Sequence, residues 1–197
     1  MSRTWMISII SAFLTFVLGS CSVSSYNGFV SQYTRVEQAL GNIDTVTQRR
    51  LDLIPNLVSV VKGYAKHENE TLTAVIAARA SATQVKLDMK DMTPEKLSQY
   101  QAAQGQLSAA LGKLMVVSEQ YPNLKADGQF TALMAEIAGA ENRIAESRKR
   151  YNIEVARYNT LIQVFPNSII NSMFYHGTKV ESFKADAAAK NAPKVEM

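Results

Sequence analysis

The chain has 197 residues, 47% of them hydrophobic, 19% charged and 8% aromatic, with nine glycines, five prolines, one cysteine and a formal net charge of +4. That length suits one domain, and the apolar share suffices for a core, which argues against intrinsic disorder. The lone cysteine excludes a disulfide scaffold, and the few Gly and Pro exclude collagen-like and low-complexity architectures.

After Arg3 an uncharged run extends from Trp5 to Leu18 and is followed by Gly19-Ser20-Cys21. A basic start, a short apolar stretch and small residues before a break are the parts of a secretory signal peptide. As a helix the run from Trp5 to Leu18 is roughly 21 Å long, short of the ~30 Å hydrocarbon core, which favours a cleaved signal over a span. Leu18-Gly19-Ser20-Cys21 also resembles a bacterial lipobox, in which the cysteine is lipidated and becomes the first residue of the mature protein. The expectation is a lipoprotein-type signal over residues 1–20 and acylation, palmitate included, at Cys21. The alternative is an uncleaved single-span helix, because extension through Ser22 and Val23 brings the run near the ~20 residues that cross a bilayer. Both readings place residues 22–197 outside the cytoplasm, since Arg3 lies on the positive, inside flank and no charge follows until Arg35.

From Ser24 onward the apolar spacing is helical. Tyr26, Phe29, Tyr33, Val36, Leu40 and Ile43 step by three and four, with Thr47 and Arg50 continuing the stripe, a narrow seam of coiled-coil type. A second segment runs Ile54, Leu57, Val58, Val61, Ala65, Leu72, Val75, Ala82; a third runs from Leu97 to Tyr121; a fourth runs from Phe130 to Ile162. No stretch alternates with period two, so no sheet is expected. Pro55 after Asp52 suggests a new helix with the proline in its first turn, and a kink in one continuous helix is the alternative. Thr93-Pro94 reads as an N-cap followed by a first helical residue, residues 121–128 form the third connection, and Pro166 ends the last long helix. The predicted fold is therefore all-α: four helices of about 25 to 37 residues with short joints, which force a long antiparallel up-down four-helix bundle. Ile169, Ile170, Met173 and Phe174 allow one more short C-terminal helix over a bundle end. Residues 178–197, rich in Lys, Ala and Ser, read as a mobile tail, which leaves 21–177 for the bundle.

The chemistry of common active sites is missing. His67-Glu68 begins like a zincin helix, but Thr71 stands where the second histidine belongs, and the only other histidine is His176. Neither histidine has a glutamate three residues before it, which argues against a diiron centre. There is no Gly-rich phosphate loop and no Gly-x-Ser-x-Gly elbow. Neither an enzyme nor a metal or cofactor is expected. Basic residues are scattered, so the charge and an extracytoplasmic address argue against nucleic acid as partner. Three polar clusters are left as candidate contact sites, drawing on Arg49, Arg50, Glu141 and Arg157. Gln48-Arg49-Arg50 with Asp52 reads as a charged turn at the first joint, or as a contact for a lipid phosphate or a partner. Glu141-Asn142-Arg143 is a polar patch on the fourth helix. The echo of Arg150-Tyr151-Asn152 in Arg157-Tyr158-Asn159 stacks like residues two turns apart, with the tyrosines in the core and the asparagines setting register.

Gln48-Arg49-Arg50-Leu51-Asp52-Leu53-Ile54-Pro55-Asn56-Leu57-Val58 and Val61-Lys62-Gly63-Tyr64-Ala65-Lys66-His67-Glu68 resemble the bacterial LemA family. So, in the right order, do Ala78-Arg79-Ala80, Tyr121-Pro122-Asn123-Leu124-Lys125-Ala126, Glu141-Asn142-Arg143-Ile144-Ala145, and the run from Arg150 to Pro166. The resemblance covers roughly residues 26–175. It implies an envelope-facing helical bundle tethered at its N-terminus, without an established biochemical activity, and transfers no catalytic residues. Many members keep an uncleaved N-terminal helix, from which the lipobox departs, and Tyr175-His176-Gly177 departs from the usual ending. The expected function is that of a membrane-anchored envelope scaffold or protein-interaction module with an envelope protein as partner. The alternative is a binding module for an envelope lipid or small molecule.

Overall fold

A computed structural model describes residues 3–65 and 67–184. Among them there is no strand: the chain is all-helical. The elements are α1 (Arg3–Tyr64), α2 (Asn69–Gln84), a 3₁₀ turn (Met89–Asp91), α3 (Pro94–Ser118), α4 (Pro122–Lys125), α5 (Gly128–Leu161) and α6 (Asn167–Ile170), with a π turn over Asn171–Tyr175. They group into two compact units. One combines the chain up to Gln38 with Ile153–Val180; the other combines Ala39–Asn152 with the chain from Glu181.

The first joint differs from the expectation of a new helix at Pro55. Helix α1 runs through Pro55 without interruption and ends at Tyr64, and the break falls at residues 65–68. The reason is a contest of magnitudes. An interior proline costs a helix about 3 kcal/mol. Leu51, Ile54, Leu57, Val58 and Val61 flank it on one face and are all buried, and each contributes about 1.5–3 kcal/mol when removed from water. Burial of the continuous stripe wins.

In the second unit one core receives Ile54 and Leu57 from α1, Leu72 and Val75 from α2, Leu107 and Leu114 from α3, Leu124 from α4, and Phe130 and Ile137 from α5. The starts of α3 and α5 are set locally. The Thr93 hydroxyl accepts from the Lys96 N–H at 3.2 Å with Pro94 in the first turn, as the sequence predicts. Asp127 Oδ1 accepts from the Phe130 N–H at 2.8 Å, and Asp127 Oδ2 accepts from the Tyr64 hydroxyl at 2.8 Å. The Phe130 N–H and then the Tyr64 hydroxyl hold the Asp127 carboxyl below the usual carboxylate range.

In the first unit Phe29 and Val36 of α1 are buried, as are Tyr158 of α5, Ile162 just past its end and Ile170 of α6. Tyr175 packs on Tyr26 and Phe29 with ring centroids 5.6 and 5.0 Å apart, and Tyr33 meets Tyr158 edge-on at 5.6 Å. The short C-terminal helix is present, but of the four apolar residues expected to pack, Ile170 alone is buried while Ile169, Met173 and Phe174 are exposed. Cys21 lies within α1, and only its backbone is among the described parts. Among the described residues no helix is long and apolar enough to cross a membrane.

Thr93→Ala should lower the unfolding free energy by about 1 kcal/mol, the usual contribution of an N-cap side chain. Thr93→Asp should retain most of it, both read as urea midpoints at unchanged m-value. Equal midpoints for the wild type and Thr93→Ala would remove the cap from the account of where α3 begins.

Candidate interaction site: a buried arginine and a clamped segment

Arg50 is 1% exposed, although it carries a full charge. The continuity of α1 puts it in the helix interior on the same stripe as Ile43, Thr47 and Ile54, all buried. The expectation of a charged turn at a helix end is therefore corrected: no helix terminus lies at Arg50. Its charge is met from α3 and α5. Nη1 donates to Gln104 Oε1 at 3.3 Å, and Nη2 donates to Ser108 Oγ at 2.9 Å and pairs with Glu141 Oε2 at 2.7 Å. Burial pulls the Arg50 guanidinium below its ordinary pKa and the Glu141 carboxylate opposes that shift. Arg50 Nε and Gln104 Nε2 are buried without a hydrogen-bond partner among the described residues.

Of the four residues singled out in the sequence, the structure thus joins Arg50 and Glu141. Arg49 points outward and pairs with Glu136 at 2.5 Å, both partners substantially exposed. Arg157 belongs to the other unit and pairs with Glu154 at 2.7 Å within α5. Ser108 Oγ lies 3.3 Å from Glu141 Oε1, but a serine beside a carboxylate already committed to an arginine has no imidazole to take its proton. Among the described residues no group of three or more His, Cys, Asp or Glu could hold a metal ion.

The second arrangement involves the segment expected to be a mobile tail. Residues 185–197 of that expectation lie outside the described residues, whereas 178–184 are held in place. In the second unit the Asn152 side chain makes both bonds of an amide pair to one residue: Nδ2 donates to the Phe183 carbonyl and Oδ1 accepts from the Phe183 N–H, each at 2.9 Å. The Tyr151 hydroxyl donates to the Glu181 carbonyl at 3.0 Å, and Gln101 Nε2 donates to the Lys184 carbonyl at 2.9 Å. The Phe183 ring, 6% exposed, meets Tyr151 edge-on at 5.4 Å and Tyr100 at 6.1 Å, with the Arg148 guanidinium 5.4 Å above it. Tyr100 is anchored in turn by Thr47, hydroxyl to hydroxyl at 2.7 Å, and burial raises its pKa. In the first unit Asn159 repeats the amide pair on Val180, again with both bonds at 2.9 Å. Asn171 does the same to Gly177 at 3.1 and 2.8 Å.

Sequence reading placed Tyr151 and Tyr158 correctly in the core, and both are buried. It missed what the asparagines hold. The available signal was Phe183, the one Phe, Tyr or Trp after Tyr175.

A double-mutant cycle tests whether Arg50 and Glu141 act as a pair. Glu141→Ala should cost about 1–2 kcal/mol, because the carboxylate is half exposed but leaves a buried cation behind. Arg49→Ala should cost less than about 1 kcal/mol, as exposed pairs do. Arg50→Met with Glu141→Ala should lose less than the sum of the single changes, and strict additivity would show the pair to be uncoupled.

With this geometry in hand, the relatives of the chain fall into place. It is 28% identical over 179 residues to magnetosome protein MamQ of Magnetospirillum gryphiswaldense, a match covering 81% of this chain and 64% of that protein. It is 26% identical over 185 residues to magnetosome protein MamQ 2 of Paramagnetospirillum magneticum, covering 85% and 67% of the two. Similarity to protein LemA of Metamycoplasma hominis reaches 23% identity over 173 residues, 84% of this chain and 75% of that one. The chain thus spans about two thirds of the length of the MamQ relatives. Residues 39–197, which begin where the second unit begins and take in Arg50, Glu141, Asn152 and Phe183, match the LemA family, and the chain belongs to that family.

Proposed function

We propose that the chain is an extracytoplasmic helical interaction module, held at a membrane of the bacterial envelope by acylated Cys21 and working through contacts with an envelope protein instead of through catalysis. The observation that carries this reading is the distribution of exposed apolar surface. Of the large apolar side chains exposed among the described residues after Cys21, all but Tyr64, Ile76, Met115 and Val116 belong to the first unit. They are Val23, Tyr26 and Val30 of α1 together with Ile153, Val164, Phe165, Ile169, Met173 and Phe174. Contiguous apolar surface of that kind marks a face that meets a membrane or another protein. The second unit has its own core and pairs Arg49, Arg50, Lys96, Lys125 and Arg150 with carboxylates. In this reading α1, α2, α3 and α5, which build most of that core, lie antiparallel, up and down, as their short joints require.

A second reading, a binding module for an envelope lipid or small molecule, is favoured by one feature. A groove of about 370 Å³ in the first unit is lined by Ser22, Val23, Tyr26 and Phe174. That size falls in the range of small-molecule sites, about 300–1,000 Å³.

Cys21→Ala should abolish incorporation of labelled acyl chain and retard the protein on a denaturing gel, because the signal stays attached. Unchanged mobility together with full membrane retention would instead favour an uncleaved anchor. Crosslinking in cells should recover a defined envelope protein with the wild type, and recovery of the monomer alone under several crosslinker lengths would count against an interaction module.

A further inference from the structure

The bonds that hold residues 181–184 in the second unit share one property: all of them end on main-chain atoms. Asn152 takes the N–H and carbonyl of Phe183, Tyr151 the carbonyl of Glu181 and Gln101 the carbonyl of Lys184. Three side chains therefore do what the edge strand of a sheet does for an added strand, and they do it without reading sequence. Selectivity comes from the box around Phe183, where Tyr151 edge-on, Tyr100 tilted and the Arg148 guanidinium over the ring favour an aromatic side chain. Arg148 Nε, buried and without a hydrogen-bond partner among the described residues, leaves one donor of that box unused. Nothing in the arrangement depends on the segment being covalently part of this chain.

We infer that Gln101, Tyr151 and Asn152, with the ring box of Tyr100 and Arg148, form a receptor for an extended peptide carrying one aromatic anchor, which the chain's own residues 181–184 occupy until a partner's segment displaces them. The inference is independent of how the chain is anchored. A tethered segment competes at roughly millimolar effective concentration, so a partner peptide must bind a closed receptor with reduced apparent affinity. Weakening the chain's own anchor should raise that affinity.

The test uses the full chain and a fluorescein-labelled peptide with the sequence of residues 178–186. Phe183→Ala in the full chain should bind the peptide at least tenfold more tightly than the wild type does, by fluorescence anisotropy. Asn152→Ala added to Phe183→Ala should remove at least tenfold of the binding, and a peptide with leucine at the anchor position should bind several-fold more weakly than the phenylalanine peptide. Absence of binding to Phe183→Ala, with its helical circular dichroism unchanged, overturns the inference. Hydrogen exchange on the wild type provides the second arm and needs no variant. The Phe183 amide should exchange by local opening, well before the core amides of α5, and exchange of both together would show a fixed structural strap. A wild-type dimer that forms as concentration rises, with the Phe183 amide protected only in the dimer, would assign the receptor to a second copy's segment and overturn the partner-peptide assignment.

Discussion

The stripe of α1 on either side of Pro55 is the constraint on which the second unit turns. Leu51, Ile54, Leu57, Val58 and Val61 are buried on one face, and no helix that stopped at Pro55 would keep them in phase. Because α1 continues, Arg50 sits mid-helix, facing the same side as the core. A cation there has no helix end and no solvent to satisfy it, so its partners must come from neighbouring helices. Gln104 and Ser108 lie four residues apart on one face of α3, and Glu141 meets them from α5. The ion pair adds little stability in itself, since removing two charges from water offsets much of their attraction. Its geometric demand is what matters: only one rotation of α3 and one of α5 bring those three groups to Arg50.

This dependence explains where sequence reading succeeded and where it stopped. Stripes at three and four residues identify which residues of α1, α3 and α5 are buried, because helical periodicity is a property of each segment alone. The Thr93-Pro94 start is equally local and was legible. Pro55 was not, because the local rule for proline and the nonlocal burial of five flanking side chains point in opposite directions, and the sum favours burial. Arg50 is legible on the stripe, but its role depends on whether the helix ends beside it, so the joint decides the site.

The C-terminal segment failed to show for a different reason. Its composition is polar and small, and averages over a window conceal a single phenylalanine. The contact that orders it spans thirty-one positions in sequence, from Asn152 to Phe183. Each unit makes the same amide pair within itself, Asn159 on Val180 in the first and Asn152 on Phe183 in the second, and these bonds end on main-chain atoms that composition does not reveal.

The two polar arrangements of the second unit accordingly have opposite characters. Around Arg50 the partners are side chains, the guanidinium is enclosed, and removing one partner alone leaves a charge or a donor stranded, which is the behaviour of a structural specification. Around Asn152 the partners are main-chain atoms that every peptide carries, and a single ring supplies the preference. The first arrangement fixes which helix faces meet; the second can release one extended segment and accept another. Exchange of contacts on an otherwise unchanged frame is what an interaction module must provide, and of the two arrangements only the clamp on α5 has the chemistry for it.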